Sequence, residues 1–192
     1  MSEHEVLLTG IGGQGVQLAA QVLARAAAVD GRQVMLFGVY SGMMRGGNSD
    51  STLVVADADI QAPPLISHAS SAIVMHHKFW APLASKLRPG AVIAVNSSLF
   101  EGDLDRNVHR VFDVPATEIA ADLGNSMAAS MVMVGAYAAI TGLVTLDAAL
   151  EGMRESIPPY RRQHVEGNER AIRTGWDSAE RLAAPAWDAV SA

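Results

Sequence analysis

A short apolar strand that ends in glycines and runs straight into a helix is the feature that most limits how this sequence can fold. Glu5 to Ile11 is a compact apolar run of the kind found in buried strands. From Gly13 to Asp30, apolar residues recur at helical spacing, and Gly31 is well placed to end that helix. The chain therefore begins with a predicted strand, a glycine turn and a helix.

The same alternation continues through the first half of the chain. Further buried strands are predicted at residues 33–39, 52–56, 72–76, 91–95 and 108–114, and a helix at 78–87 precedes a turn at 88–90. Beyond Pro115 the pattern is helical almost to the end, at 117–123, 127–141, 146–156 and 163–182, with Thr145 as the N-cap of the third of these helices.

Short apolar strands that alternate with helices predict an α/β fold. We expect three layers, a mainly parallel sheet with helices on both faces, and a helical C-terminal third. The 192 residues suit one domain, 1–192, because single domains commonly reach roughly 200 residues.

The stretch from Leu123 to Leu146 carries no charge and is long enough to be weighed as a membrane span. It is rich in Ala, Gly, Ser and Thr and contains Asn125, and such residues give weak membrane insertion compared with Leu, Ile or Phe. We interpret it as a helix buried on all sides in the protein.

Composition narrows the classes of function. Charged residues make up 18% of the chain, below the average of about 25%, which suggests that other subunits cover much of the surface. The formal net charge of −6 argues against nucleic-acid binding, which normally needs a basic face. The acidic N-terminus lacks the basic and apolar regions of a signal peptide, so a cytoplasmic location and no membrane attachment are expected.

Metal binding by this chain alone is not predicted. The absence of cysteine excludes an iron–sulfur cluster held by its own thiolates and also a thiol nucleophile. The adjacent His76 and His77 have no further ligand at metal spacing nearby. No residue is assigned a catalytic role.

The first glycine loop, residues 10–15, is the first candidate binding element. It fits G-x-G-x-x-G after a strand and at the start of a helix, where glycines permit close approach and free N–H groups favour an anion. A ligand-free packing turn remains open as the alternative, because this motif has false positives. A dinucleotide site also needs an acid at the end of the second strand, whereas the nearest acid, Asp30, precedes that strand. The candidate cofactor-binding residues here are Gly10, Gly12, Gly13, Gln14 and Gly15.

The second glycine loop, residues 40–49, supplies the remaining candidates. Arg45 is followed by Gly46 and Gly47, and a guanidinium can hold a phosphate or a carboxylate through two hydrogen bonds. A mobile surface loop with a solvated arginine is the alternative. Both loops follow strands, and ligands of parallel sheets bind beyond the carboxyl ends of the strands. We therefore expect the two loops to lie side by side at one edge of the sheet.

Taken together, the two loops resemble the gamma subunit of 2-oxoacid:ferredoxin oxidoreductases. Gly124-Asn125, the run from Met131 to Tyr137, and the segment from Pro158 to Arg173 resemble that family too, so the likeness covers nearly the whole chain. Two departures stand out. Family members often have Gly-Pro-Glu where this chain has residues 41–43, Ser-Gly-Met, and an Asn common before the buried Met-Val-Met run is Ser130 here.

This resemblance implies a complex that oxidatively decarboxylates a 2-oxoacid and makes an acyl-CoA. Thiamine diphosphate with Mg would be held by alpha and beta subunits, and iron–sulfur clusters by beta or by a ferredoxin-like subunit. The gamma chain would hold none of these cofactors alone, would support assembly and would contact coenzyme A as co-substrate. Two alternatives stay open: a stand-alone NAD(P)- or flavin-binding oxidoreductase, and a docking subunit without a ligand.

Overall fold

The computed structural model describes residues 2–40, 46–60, 66 and 68–187, without the side chains of Val39 and Tyr40. Its centre is a six-stranded sheet with the strand order β2-β3-β1-β4-β5-β6. The strands are β1 (Glu3–Ile11), β2 (Gln33–Tyr40), β3 (Asn48–Ala56), β4 (Ala69–Val74), β5 (Leu87–Asn96) and β6 (Arg110–Val114).

The strands β1, β4, β5 and β6 are parallel to one another, whereas β3 is antiparallel to both of its neighbours. The pairs β1–β4, β4–β5 and β5–β6 are parallel, whereas β3 runs antiparallel to both β1 and β2. The mainly parallel sheet is thus confirmed. The reversed strand β3 was not predicted, because an apolar run carries no information about strand direction.

Most of the helices pack on one face of the sheet. They are α1 (Val16–Val29), α3 (Ala116–Asp122), α4 (Ala129–Thr141), α5 (Leu146–Ser156) and α6 (Val165–Ser178). Alternate residues of the strands, such as Val6, Leu8 and Leu53, pack against them in one large apolar core. The prediction of a helix at 146–156 is confirmed to the residue, and the Thr145 side chain accepts a hydrogen bond from the N–H of Ala148 as its cap.

Helix α4 is the centre of that core. All of its thirteen residues are buried, which confirms the interpretation of an internal helix for residues 129–141 of the uncharged segment. Residues 123–127, before this helix, are exposed or half-buried. Full burial of a side chain such as Met131 or Met133 contributes roughly 1.5–3 kcal/mol. In the part of the chain that is described, no helix has both the length and the apolarity needed to cross a membrane.

Three glycines let the helices of this layer approach one another closely. A Cβ on Gly135 of α4 would overlap the backbone of Ile172, and one on Gly175 of α6 would overlap the backbone of Val132. A Cβ on Gly152 of α5 would lie 2.6 Å from the backbone nitrogen of Ala26. The helix axes can approach to this extent only because these positions lack side chains.

The opposite face of the sheet has a thinner cover. The short helix α2 (Trp80–Ala84) places Leu83 against a smaller apolar cluster that includes Leu7, Val74 and Ile93. Toward the outer strand β2 this face is more open, and the side chain of Phe37 is 48% exposed. Both faces therefore carry helices, as predicted, but in unequal amounts.

Several boundaries differ from the sequence prediction. Strand β3 begins at Asn48 rather than at 52, and β5 begins at Leu87 and takes in the predicted turn at 88–90. Helix α6 ends at Ser178 instead of continuing to 182. The segment after it packs back on the protein, where the indole N–H of Trp187 donates to the carbonyl of Leu143 over 2.8 Å.

Candidate functional site

The first glycine loop lies at the carboxyl end of β1 and leads into α1. Gly13 and Gly15 both have positive φ angles, 107° and 81°, which side chains rarely adopt. Gly15 is the N-cap of α1 and provides no side-chain cap. The first N–H groups of a helix have no acceptor within the helix. The loop therefore places polar backbone at the positive end of the dipole of α1.

Gln14 closes the loop from within. Its side-chain carbonyl accepts a hydrogen bond of 2.7 Å from the N–H of Ile11. Gly10 is enclosed as well, since a Cβ there would lie 2.8 Å from Gln14, Met75 and Val16. Among the predicted binding residues, the geometry thus gives these two a part in holding the loop in shape.

The two glycine loops touch through backbone hydrogen bonds. The N–H of Gly12 donates to the carbonyl of Gly47 over 2.8 Å, and the N–H of Gly46 donates to the carbonyl of Gly12 over 3.2 Å. The two loops are therefore adjacent, as expected. Arg45, the predicted anion ligand, lies outside the described residues.

A polar network fixes α1 to the start of β3. The amide of Gln17 donates to the backbone carbonyl of Asp50 over 2.7 Å and accepts from the hydroxyl of Ser51 over 2.8 Å. On the other face of the sheet, the Asp50 carboxylate accepts hydrogen bonds of 2.7 Å from Thr9 and from Asn48. These bonds and the pairing with β1 and β2 hold the polar start of β3, a segment that looked like a loop in the sequence, as a strand.

A cavity of about 620 Å³ opens beside the loops. One wall comes from the first loop, the start of α1 and the start of β3. The other comes from the segments that lead into α4 and α6. The residues that line it are Gly12, Gly13, Gly15, Val16, Gln17, Leu18, Asn48, Ser49, Asn125, Met127, Ser130, Ile157, Arg161, His164 and Asn168.

The rim and the floor of this cavity differ in chemistry. Arg161 and His164 are exposed at the rim, and no described lining residue is an acid. Ser130 and Asn168 lie deep, with 2% and 7% exposure. The walls between are largely apolar, with Val16, Leu18, Met127 and Ile157. A cationic rim, a helix N-terminus and neutral polar groups at depth suit a ligand that is anionic at one end and neutral at the other.

Sequence reasoning did not assign Ser130, Arg161, His164 or Asn168 to a site. Their contribution depends on helices α4 and α6 being packed against α1, more than a hundred residues away in the chain. The sequence nevertheless contains a signal, because Gly124-Asn125 and the segment from Pro158 to Arg173 resemble the same family as the glycine loops.

The geometry does not favour a dinucleotide. Asp30, the acid nearest to the second strand, accepts hydrogen bonds from the N–H and the hydroxyl of Thr145 over 2.7 and 2.9 Å. It lies before β2, at the opposite end from the glycine loops. In addition, β3 separates β1 from β2, whereas a dinucleotide-binding unit pairs its first two parallel strands directly.

Within the described segments, no group of three or more His, Cys, Asp or Glu side chains could hold a metal ion. The rings of His76 and His77 lie 4.4 Å apart at the end of β4. The pKa of His76 is lowered, first by burial and then by the neighbouring His77 and Lys78.

Residues 5–178 match the pyruvate ferredoxin/flavodoxin oxidoreductase family, and the chain therefore belongs to that family. It is 32% identical over 161 residues to the 2-oxoglutarate synthase subunit KorC of Methanothermobacter thermautotrophicus, which covers 81% of this chain and 85% of the relative. It is 27% identical over 180 residues to the pyruvate synthase subunit PorC of the same organism, covering 93% of this chain and 97% of that one.

Among solved structures, the keto/oxoacid ferredoxin oxidoreductase gamma subunit of Geobacter sulfurreducens superposes with a TM-score of 0.79 at 26% identity. The superposition covers 92% of this chain and 96% of that subunit. Within the family, the chain is a gamma subunit of a 2-oxoacid:ferredoxin oxidoreductase complex.

Proposed function

We propose that this subunit supplies a contact surface for coenzyme A in a complex that oxidatively decarboxylates a 2-oxoacid to an acyl-CoA. The observation that carries the proposal is the cavity at the meeting point of the two glycine loops. Its volume of about 620 Å³ falls within the usual range for small-molecule sites, about 300–1,000 Å³. Coenzyme A carries phosphates, which suit the cationic rim of the cavity, and a long neutral arm, which suits the neutral polar groups of its floor.

The phosphates belong, in this proposal, at the first glycine loop. Gly12, Gly13 and Gly15 bring backbone close to the ligand at the N-terminus of α1. Arg161 and His164 add side-chain donors across the opening. Gly13 is exposed, and apart from its chain neighbours no atom of the described residues lies within 4 Å of the position its Cβ would take, so an anion has room to approach.

Arg45, Gly46 and Gly47 complete the proposed contact. The second loop is tied to Gly12 by its glycines, and Arg45 comes immediately before them in sequence. A guanidinium there suits a phosphate of coenzyme A. Gly10 and Gln14 support the loop rather than touch the ligand, because their surroundings are filled by the loop itself.

The remaining chemistry is assigned to partner subunits. Thiamine diphosphate with Mg supplies the decarboxylation chemistry, and we assign it to the alpha and beta subunits. Iron–sulfur clusters need thiolate ligands, and this chain has no cysteine, so the clusters are assigned to beta or to a ferredoxin-like subunit. This subunit then contributes assembly and ligand contacts, with no catalytic side chain of its own.

The test uses the assembled enzyme and the Michaelis constant for coenzyme A. Arg45→Ala and Arg161→Ala should each raise the KM by about 10-fold or more, because a lost charge-assisted contact is worth roughly 1.5–3 kcal/mol. Arg162→Ala is the matched control, since Arg162 is exposed next to Arg161 and does not line the cavity. Stopped-flow decarboxylation without coenzyme A should be unchanged in all three variants.

The opposite pattern would argue for a docking role. If both variants keep the parental KM for coenzyme A but slow the CoA-independent step or lower the yield of complex, then the loops contact a partner subunit and not the ligand.

A further inference from the structure

The floor of the cavity contains two buried polar side chains with unused hydrogen-bonding capacity. Ser130, on the first turn of α4, is 2% exposed, and Asn168, on the first turn of α6, is 7% exposed. Both line the cavity. Within the described part of the chain, neither side chain has a hydrogen-bond partner.

These polar groups therefore face the cavity without a partner in the described part of the protein, and a ligand or water in the cavity can bond to them. Buried hydroxyls in the core, in contrast, have partners within the protein. The buried hydroxyl of Tyr137, for example, lies 2.7 Å from that of Ser71, and Thr141 donates to the carbonyl of Tyr137 over 2.7 Å.

The floor lies directly beneath the first glycine loop. A Cβ placed on Gly15 would be 2.5 Å from the hydroxyl oxygen of Ser130, so the loop and the floor are in contact. A ligand held by the loop therefore reaches Ser130 with its next few atoms. Asn168 and the half-buried Asn125 approach the same space from the α6 side.

The chemistry of the floor is neutral. A serine hydroxyl and a carboxamide both donate and accept hydrogen bonds. Arg161, the cationic lining residue, is at the rim, and burial of a second anion without a paired cation would be unfavourable. The walls are apolar at Val16, Leu18 and Ile157. The group bound at depth must therefore be uncharged, partly apolar, and equipped with both an N–H donor and an acceptor.

We infer that Ser130 and Asn168 form a specificity subsite that binds the neutral, amide-like part of a phosphorylated ligand whose anionic part lies on the first glycine loop. This inference rests on the proposed function, in which the ligand is coenzyme A. Two parts of coenzyme A have the required chemistry: the amides of the pantetheine arm and the amino edge of adenine.

The test compares Ser130→Ala and Asn168→Leu in the assembled enzyme with Asn107→Leu, the same change on an exposed turn. Each floor variant should raise the KM for coenzyme A about 3- to 10-fold, the range expected for a lost neutral hydrogen bond. The melting temperature of each floor variant should stay the same or rise, because neither side chain makes a hydrogen bond to the described part of the protein. Asn107→Leu should leave the KM unchanged.

Two fragments identify which part of coenzyme A the floor holds. Adenosine 3′,5′-bisphosphate and pantetheine are measured as competitive inhibitors against coenzyme A. If Asn168→Leu weakens inhibition by pantetheine alone, the floor binds an amide. If it weakens inhibition by the bisphosphate alone, the floor binds adenine.

Failure of this inference is separable from failure of the proposed function. If Arg161→Ala raises the KM while Ser130→Ala and Asn168→Leu do not, the subsite is refuted and the coenzyme A site stands. If none of the three changes the KM, the proposed function fails and the subsite with it. A melting temperature lowered by several degrees in Asn168→Leu would mean that Asn168 supports the fold instead of a ligand.

Discussion

Glycines serve opposite purposes in the helical layer and at the glycine-loop edge of the sheet. In the helical layer, Gly135, Gly152 and Gly175 have no room for a side chain, because another helix backbone occupies the space. At the loop edge, Gly13 has open space around it but adopts a φ angle of 107°. Close packing requires glycine at the three positions in the helical layer, and the backbone conformation requires it at Gly13. The same residue type therefore marks the most closed and the most open parts of the molecule.

The largest expected effect comes from filling one of the closed positions. In Gly175→Ala the new methyl group meets the backbone carbonyl of Val132, which cannot turn aside as a side chain can. Helices α4 and α6 must separate, and we expect a loss of about 3 kcal/mol or more in the free energy of unfolding. Urea unfolding of the full chain measures this.

Gly167→Ala is the control on the same helix. Its Cβ would meet only the side-chain nitrogen of Asn125 at 3.2 Å, and alanine is favoured in helices by up to about 1 kcal/mol. Its stability should equal or exceed that of the parent. Equal losses in the two variants would show that the close crossing at Gly175 does not set the cost of the added methyl group.

An intermediate effect is expected at the open positions. Gly13→Ala and Gly31→Ala both place a methyl group in free space at a positive φ angle, 107° and 77°. Each should lose about 1–2 kcal/mol of stability through backbone strain alone. Only Gly13 lines the cavity, so Gly13→Ala alone should also raise the KM for coenzyme A. A raised KM in Gly31→Ala would mean that lowered stability, rather than the loop, affects binding.

The smallest effect concerns the amino end of β1, far from the cavity. The pKa of His4 is lowered, mainly because burial disfavours its charged form, although its hydrogen bond with the Ala186 backbone and the charge of Glu5 oppose this. Arg88 also lowers it and Asp57 raises it. The edge of the His4 ring packs on Trp187, and the guanidinium of Arg32 lies 4.0 Å above that indole.

Because the folded pKa of His4 lies below its ordinary value of 6.5, the unfolded chain binds the proton more readily. This contribution to stability is complete above about pH 6.5 and is lost as the pH falls from there toward the folded pKa. We expect a loss below about 1 kcal/mol, since the site is partly solvated. His4→Gln should flatten the stability curve over that range, and an unchanged slope would assign the pH dependence to other groups. His4→Gln should leave the KM for coenzyme A unchanged.

The elements that could be predicted from sequence were those whose signals are local. The periodicity of α5 and the cap at Thr145 gave its limits, and the glycine motif gave the turn after β1. Strand β3 was predicted too short, since its first half, Asn48 to Ser51, is polar. Those residues become strand through hydrogen bonds to Gln17 and Thr9, which lie about forty residues earlier in the chain.

For the same reason, only one wall of the candidate site could be predicted from the sequence. The glycine loops could be located because their residues are consecutive. The opposite wall, with Arg161, Asn168 and Ser130, depends on how α4 and α6 are placed against α1. No spacing pattern in the sequence predicts how these helices pack against α1. The resemblance of these segments to the family was the available signal.

The position of β1 in the middle of the sheet has a consequence for how the protein acquires its structure. One edge of β1 pairs with β3, from Asn48 to Ala56, and the other with β4, from Ser71 to Val74. The second edge of β1 finds its partner late in synthesis, because Val6 pairs with Ser71 and Thr9 with Val74. Contacts so distant along the chain form slowly, because a long loop must close before any of its energy is recovered. Until then one edge of the apolar run from Val6 to Leu8 has no partner, and we expect the nascent chain to be most prone to aggregation in that interval.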